Sequence, residues 1–579
     1  MTNADPGRPR DDESWELFFM GLFVFLVILA VWGSGAIGEV ARGEEFPPNP
    51  LFYLVDLVLG ERDWPGAVST VSLVLITAGL AAGGFAGIRV FARRTRKHKV
   101  DRMARHLSTP EDLAALSPKG VAASAARLRK MGISSDPSDH GIYLGNTVPH
   151  GIPLRSSWED TFLMIAGPRR FKSSAYVIPA IIDAPGPVVA TSNKRDVHDA
   201  TRGVRAKVGR CWVFDPQGVA DQEPEFWFNP LRAIKGTREA ATLVTHFVTS
   251  TRPVNTQLHH FDLEGDNLLA YLFLTAARSG STLRDVYRWL AQRSTEPLEL
   301  LLEKSSEDDL VSMKLETLIQ FPEQWREGIY GSAMKLLRCL EDPRVLRWVT
   351  PPRSGDLPEF DPEAFISSRD TLYMLSMEGE GSASPLVAAL THDTLEAAVH
   401  KSVNLPGGRL DPPLLAELDE AANVCRIQEL PNLYSHFGSR GAVVRTHLQS
   451  WSQGVEVWGE PGMRKLWDSS NIRVYGGGVA DAGFLGELSE VIGNYDRVFY
   501  SSSISKDGLI DSGRRQRSTQ IQKEKTLDVA TLSALPRGRA VVVPSGAPAT
   551  VVEPVQWFKG PHAEDIKASL RRYDPAGGE

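Results

Sequence analysis

An α/β domain carried behind two membrane-spanning helices is the fold class this sequence predicts. Three observations carry it. Two long apolar runs lie near the N-terminus, short apolar runs beyond residue 100 each precede a helix-like stretch, and one helical block interrupts that series.

The apolar runs come first. Leu17 to Ile37 is almost wholly apolar and long enough to span about 30 Å of hydrocarbon as a helix. A cleaved signal peptide is the alternative, but the flank is acidic (Asp11, Asp12, Glu13) where such a peptide is basic. Ala67 to Val90 is the second run, rich in small residues (Gly79, Gly83, Gly84, Gly87) that let helices pack closely. Arg89, Arg93, Arg94, Arg96, Lys97 and Lys99 follow it and mark the cytoplasmic side. Two spans put both termini in the cytoplasm of a multi-pass membrane protein, and the loop between them leans acidic, as an outside loop does.

The soluble part is too long for a single core at a chain length of 579 residues. A net charge of −7 argues against a surface coated for nucleic acid, yet leaves room for a local basic channel. Cys211, Cys339 and Cys425 are scattered and lack metal-ligand spacing, which fits a reducing compartment. Buried parallel strands read as continuous apolar runs. Such runs are Thr161–Ala166, Pro187–Thr191, Cys211–Phe214, Thr371–Ser376, Pro413–Leu418, Ala442–His447, Ile472–Gly476 and Ala540–Pro544. The stretch from Gly236 to Trp348 carries helical patterns instead, such as NLLAYLFLTAA and LRDVYRWLA, and reads as an all-helical insertion. Ser502 to Lys525 is polar and reads as a long loop or hairpin. The predicted organisation is a membrane anchor (1–100), a linker (101–155), a nucleotide-binding domain in two parts (156–235 and 349–559) around an all-α insertion (236–348), and a polar tail (560–579).

The first strand run leads into Gly167, Pro168, Arg169, Arg170, Phe171, Lys172, Ser173 and Ser174, followed by an apolar helix. Strand, loop, Lys-Ser and helix is the P-loop order: backbone N–H groups cradle phosphates, the lysine reaches them, and the hydroxyl meets Mg²⁺. The loop is one residue short, and Phe171 stands where the second glycine belongs. A strand ending in a Pro/Arg turn explains the octamer equally well. A second piece shifts the balance. Pro413–Leu418 ends in Asp419 and Glu420, as a strand that delivers one carboxylate to Mg²⁺ and another to the attacking water. The competing reading makes both residues caps of the following helix. Gln449 closes the next strand, where a polar group senses phosphate or merely opens a helix. Arg440 is either an arginine finger or an exposed turn residue.

These pieces resemble the type IV coupling proteins, the TraD/TraG family of conjugation and type IV secretion. LLAELDEAANVCRIQELPNLYSHFGSRG and THLQSWSQ are similar to the family's strand-DE-A-N and strand-end Gln blocks. VVATSNKRDV, WVFDPQG, WFNPL and LSALPRGRAVVVPSGAPATVVEPVQWF resemble further family pieces. The resemblance implies a RecA-like P-loop NTPase domain and a bacterial inner-membrane ATPase, hexameric, using ATP and Mg²⁺. Its implied partners are a relaxase–single-stranded DNA complex or a secreted protein, and the components of a secretion channel. Carried over, Lys172 holds phosphate, Ser173 and Asp419 bind Mg²⁺, Glu420 is the base and Gln449 the sensor. Phe171 departs from the family glycine and leaves open a substrate receptor without turnover. A double-stranded DNA pump of the FtsK/HerA kind is a third reading; the helical insertion and the DEAAN block argue against it.

Overall fold

The computed structural model describes residues 12–45, 49–95, 98–130, 133–254, 256–304, 310–353, 355–505 and 514–576. Asp11, Arg96 and Lys97, together with residues 506–513 of the Ser502–Lys525 segment, lie outside the described residues. Two compact units divide the chain, residues 1–97 and 98–579.

The first unit contains the helices Asp12–Arg42, Pro50–Leu59 and Ala67–Thr95. Within the first of these, Phe25–Arg42 is long and apolar enough to cross a membrane. The apolar stretch described in the third helix, Ala67–Leu80, is shorter. Glu39 is buried, and both its carboxylate oxygens accept from Arg62 Nη1, at 2.8 and 2.9 Å, which gives it an ion-pair partner.

The second unit is built on an eleven-stranded sheet. Its strands are β1 (Ile142–Thr147), β2 (Pro153–Ser156), β3 (Phe162–Ala166), β4 (Val188–Ser192), β5 (Cys211–Phe214), β6 (Thr371–Leu375), β7 (Leu414–Leu418), β8 (Ala442–Leu448) and β9 (Ile472–Gly477). A separate hairpin, β10 (Asn494–Ser505) and β11 (Arg514–Lys525), precedes β12 (Ala540–Pro544) and β13 (Thr550–Glu553). The order across the sheet is β2-β1-β13-β12-β9-β3-β8-β7-β4-β6-β5. From β9 to β5 every neighbouring pair is parallel; from β9 outward through β12, β13, β1 and β2 every pair is antiparallel.

The parallel strands explain the continuous apolar runs. Every residue of β3, β4, β6, β7 and β8 is buried, because helices cover both faces. Burying each large apolar side chain contributes about 1.5–3 kcal/mol, which makes this block the stable centre of the unit. The antiparallel extension lies partly in residues 101–155, read from sequence as a linker: β1 and β2 belong to the sheet. Between β5 and β6 the described chain is helical, from Thr237–Thr251 to Pro343–Val349. Its apolar faces merge with the core through Phe247, Leu272, Phe273 and Trp348. The polar C-terminal segment contains the helix Ala563–Tyr573, which packs against the helix Asp196–Arg205.

Candidate nucleotide site

β3, β7 and β8 lie side by side, and their C-terminal ends open on the same edge of the sheet. That edge is where an open α/β sheet binds ligands. β3 delivers the loop from Gly167 to Lys172, β7 delivers Asp419 and Glu420, and β8 delivers Gln449.

Lys172 is the hub. Its Nζ donates to Glu420 Oε1 at 2.6 Å and lies 3.5 Å from Asp419 Oδ1. Ser173 Oγ donates to Asp419 Oδ2 at 3.0 Å. Gln449 Nε2 donates to Glu420 Oε2 at 2.8 Å. Thr191 Oγ1, at the end of β4, donates to the Asp419 carbonyl at 3.1 Å and fixes the strand end. Burial alone would lower the pKa of Lys172, but Asp419 and Glu420 outweigh it and hold the ammonium above its usual range. Burial pushes the Asp419 carboxyl up, with Lys172 pulling the other way. Five of the predicted site residues are therefore linked in one chain of hydrogen bonds and ion pairs: Lys172, Ser173, Asp419, Glu420 and Gln449.

The loop itself is strained. Arg169, Phe171 and Glu420 adopt left-handed backbone at φ of 59°, 64° and 54°. They are three of five such non-glycine residues among those described. Each costs ~1–2 kcal/mol, and strain of this kind concentrates at functional sites. Phe171 thus takes the conformation that a glycine would supply freely, and its half-buried ring packs on the core cluster around Phe162 and Met164. Gly167 is pressed against the turn after β9: a β-carbon there would meet the Gly478 carbonyl oxygen at 2.2 Å. Arg170 leaves the loop to donate to the Leu535 carbonyl at 2.7 Å and lies across Gly477 and Gly478. Pro168 borders a cavity of about 510 Å³ that also touches Gln449, Gln453 and Asp481. Ser174 turns back toward the Phe171 carbonyl at 3.5 Å. Beyond the loop the helix starts with one turn of π-helix, Ser173–Val177, before Ile178–Asp183. Pro179 accounts for it, since it has no N–H to give to an α-helical bond.

Arg440 stands apart from this cluster. Its Nη1 donates to the Gly408 carbonyl at 3.3 Å, behind the N-terminal end of β8.

Some contributors escaped the sequence reading. Asn423 Nδ2 donates to Glu378 Oε1 at 2.7 Å and lies 3.5 Å from Glu420 Oε2. Asn193 donates to the same Glu378 oxygen at 2.5 Å. Asn423 was visible as the last letter of DEAAN, but nothing in the sequence pointed to Glu378. Beneath the loop, Glu417, Arg445 and His447 form a fully buried cluster of ionisable side chains, in which burial pushes the Glu417 carboxyl up to about 8 and the His447 ring well down. Arg445 Nε lies 2.7 Å from Glu417 Oε1, and His447 Nε2 lies 2.7 Å from Glu417 Oε2. Arg445 also sits 4.0 Å over the Phe162 ring.

The donor set suits Mg²⁺ with a nucleotide. One hydroxyl and one carboxylate oxygen face each other beside a lysine, and Mg²⁺ takes few protein oxygens alongside phosphate. No cluster of three or more His, Cys, Asp or Glu that would cage a metal occurs among the described residues.

Residues 413–537 match the family described as the TraM recognition site of TraD and TraG. No curated protein matches the chain. Among solved structures, the bacterial conjugative coupling protein TrwBdeltaN70 in its unbound monoclinic form is similar over 74% of this chain and 90% of its own, at 17% identity and TM-score 0.51. The plasmid coupling protein TrwB in complex with the ATP analogue ADPNP covers 75% and 92%, at 16% identity and TM-score 0.48. TrwB in complex with ADP and Mg²⁺ covers 75% and 92%, at 15% identity and TM-score 0.49. The likeness to TrwBdeltaN70 shows the fold, a RecA-like α/β domain with a helical insertion, and an apolar helix lies near the N-terminus. From β7 to the turn before β12 the chain is therefore similar to the TraM recognition segment of TraD and TraG.

Proposed function

We propose that this chain is a membrane-anchored coupling ATPase that recruits a DNA or protein substrate and drives it into a type IV secretion channel. The observation that supports it best is the convergence of Lys172, Ser173, Asp419, Glu420 and Gln449 at three adjacent strand ends. In this reading the internal pairing of Lys172, Ser173 and Gln449 with Asp419 and Glu420 opens when ATP binds. Lys172 would turn from Glu420 to the phosphates, and Ser173 and Asp419 would hold the metal. Glu420, freed, accepts the proton of the attacking water, and Gln449 orients that water. Mg²⁺ would supply charge neutralisation at the phosphates when bound. The backbone N–H groups of Arg170 to Ser173 would complete the phosphate cradle.

The two-span topology, with helices Asp12–Arg42 and Ala67–Thr95 crossing the membrane, belongs to the same proposal. So does a hexamer working at the inner end of the channel. The 413–537 segment, with the β10–β11 hairpin inside it, is the proposed docking region for a substrate-delivering partner such as a relaxase–single-stranded DNA complex.

A second reading, a substrate receptor without turnover, is favoured by Phe171 alone. Steady-state ATP hydrolysis by the full chain, beside Glu420→Gln, separates the two. The ATPase reading expects wild-type turnover well above that of the variant. Turnover equal to the variant's, with and without substrate, makes the chain a receptor.

A further inference from the structure

A second cleft, of about 510 Å³, opens between the helical insertion and the sheet domain. Arg252, Lys335 and Arg338 line it from the insertion side, Asn423 and Arg426 from the segment after β7. The loop after β6 closes it. Four cationic side chains line the cleft against one carboxylate, Glu380, in a chain whose net charge is −7. A local reversal of this kind focuses an attractive potential on anions.

The cations are not all consumed internally. Lys335 is exposed and has no ion-pair partner among the described residues. Arg338 is 53% exposed and pairs with Glu380, itself 77% exposed, so that contact is a weak surface pair. Arg426 donates Nε to the Ala422 carbonyl at 2.6 Å and Nη1 to the Thr249 carbonyl at 3.5 Å, and lies within ion-pair distance of no carboxylate among the described residues. Burial lowers its pKa, with Glu456 and Glu378 pulling the other way. Only Arg252 is firmly engaged, by Asp266 at 2.8 Å.

The facing loop is pre-shaped. Gln217 Oε1 accepts hydrogen bonds from Ser376 Oγ, Met377 N and Ala383 N, which pins both ends of the loop. Gly379 and Gly381 sit at φ of 105° and 75°, and a β-carbon on either would meet nothing within 4 Å. Bare backbone therefore fronts the cleft. No aromatic residue lines it, so bases find no stacking platform. The chemistry that fits is phosphate oxygen, taken without regard to sequence.

We propose that this cleft is a second anion site that binds phosphate groups, either along a single-stranded nucleic acid or on a free polyphosphate. It is separate from the Lys172 site, yet Asn423 borders it and sits 3.5 Å from Glu420, so an occupant lies one side chain from the proposed base.

The test is binding to the full chain in detergent, without nucleotide and at fixed salt, which keeps it independent of ATP turnover. One arm follows a labelled oligothymidylate by anisotropy. The other follows inorganic pyrophosphate by calorimetry in a Lys172→Ala background, which silences the first site. Lys335→Glu with Arg338→Glu reverses two exposed charges, and an unchanged melting midpoint shows that folding is intact. The expected result is a loss of about tenfold or more in oligothymidylate affinity with a shallower salt dependence, while Glu380→Gln, which frees Arg338, tightens binding. Unchanged oligothymidylate binding with lost pyrophosphate binding assigns the cleft to a free polyphosphate. Wild-type affinity for both ligands in all these variants overturns the proposal.

Discussion

Lys172 and Glu420, 248 residues apart, are joined by a 2.6 Å hydrogen bond between Nζ and Oε1. The bond ties the phosphate loop to the end of β7 and leaves a single buried cation between two carboxylates. Lys172→Ala removes that cation. Asp419 then keeps its burial without its counter-charge, and the variant is expected to lose about 3 kcal/mol of unfolding free energy in urea denaturation. Asp419→Asn in the same background should recover part of that loss. Additive losses would show that the pair is not coupled.

Phe171 decides how far the loop departs from a glycine-bearing one. Its backbone is already left-handed, so Phe171→Gly releases ~1–2 kcal/mol of strain. The same change removes a half-buried ring worth about 1–2 kcal/mol. The net stability change is expected within about 1 kcal/mol, and ATP affinity should rise less than about tenfold, since the loop shape is already in place. A larger gain, read by nucleotide titration, would mean that the ring obstructs the phosphates.

Much of this was legible in the sequence, and the physical reason is burial on both faces. β3, β4, β7 and β8 read as continuous apolar runs because helices cover them above and below. β1, β2 and β13 did not. They are short and lie on the antiparallel side, and β1 carries a register shift between Tyr143 and Gly145. Their pattern was no stronger than that of a linker. Glu417 looked like a flaw in the β7 run. Its answer lay on the neighbouring strand, where Arg445 is its register partner and His447 shares the same face, in the alternation of RTH. Pairing of that kind needs the sheet order, which a single sequence does not contain.

The Glu417–Arg445 contact carries its own expectation. Both side chains are fully buried, so removing one partner strands the other. Glu417→Leu is expected to lose about 3–5 kcal/mol. Glu417→Leu with Arg445→Met should recover most of it, as an apolar pair of similar volume. A double-mutant cycle in urea measures the coupling, and a double variant no more stable than the single would contradict it.

The C-terminal helix should respond to pH. His562 Nε2 lies 3.1 Å from Asp183 Oδ1, at the end of the helix that follows the phosphate loop. The hydrogen bond to Asp183 raises the histidine pKa above 6.5, and burial opposes it. A raised pKa in the folded state stabilises fully below the unfolded value and is lost as pH rises through the folded one. Wild type should therefore exceed Asp183→Asn in stability by more at pH 6 than at pH 8.5. Equal differences at both pH values would remove His562 from the account.

The central claim is that the strand-end cluster is a working Mg²⁺-nucleotide site, and equilibrium titration of the full chain with a fluorescent ATP analogue tests it most directly. The account predicts saturable binding that Mg²⁺ strengthens, a loss of about tenfold or more in Lys172→Ala, and loss of the Mg²⁺ effect in Asp419→Asn. Absence of binding by the wild type at millimolar ATP and Mg²⁺, or binding indifferent to both substitutions, would contradict it.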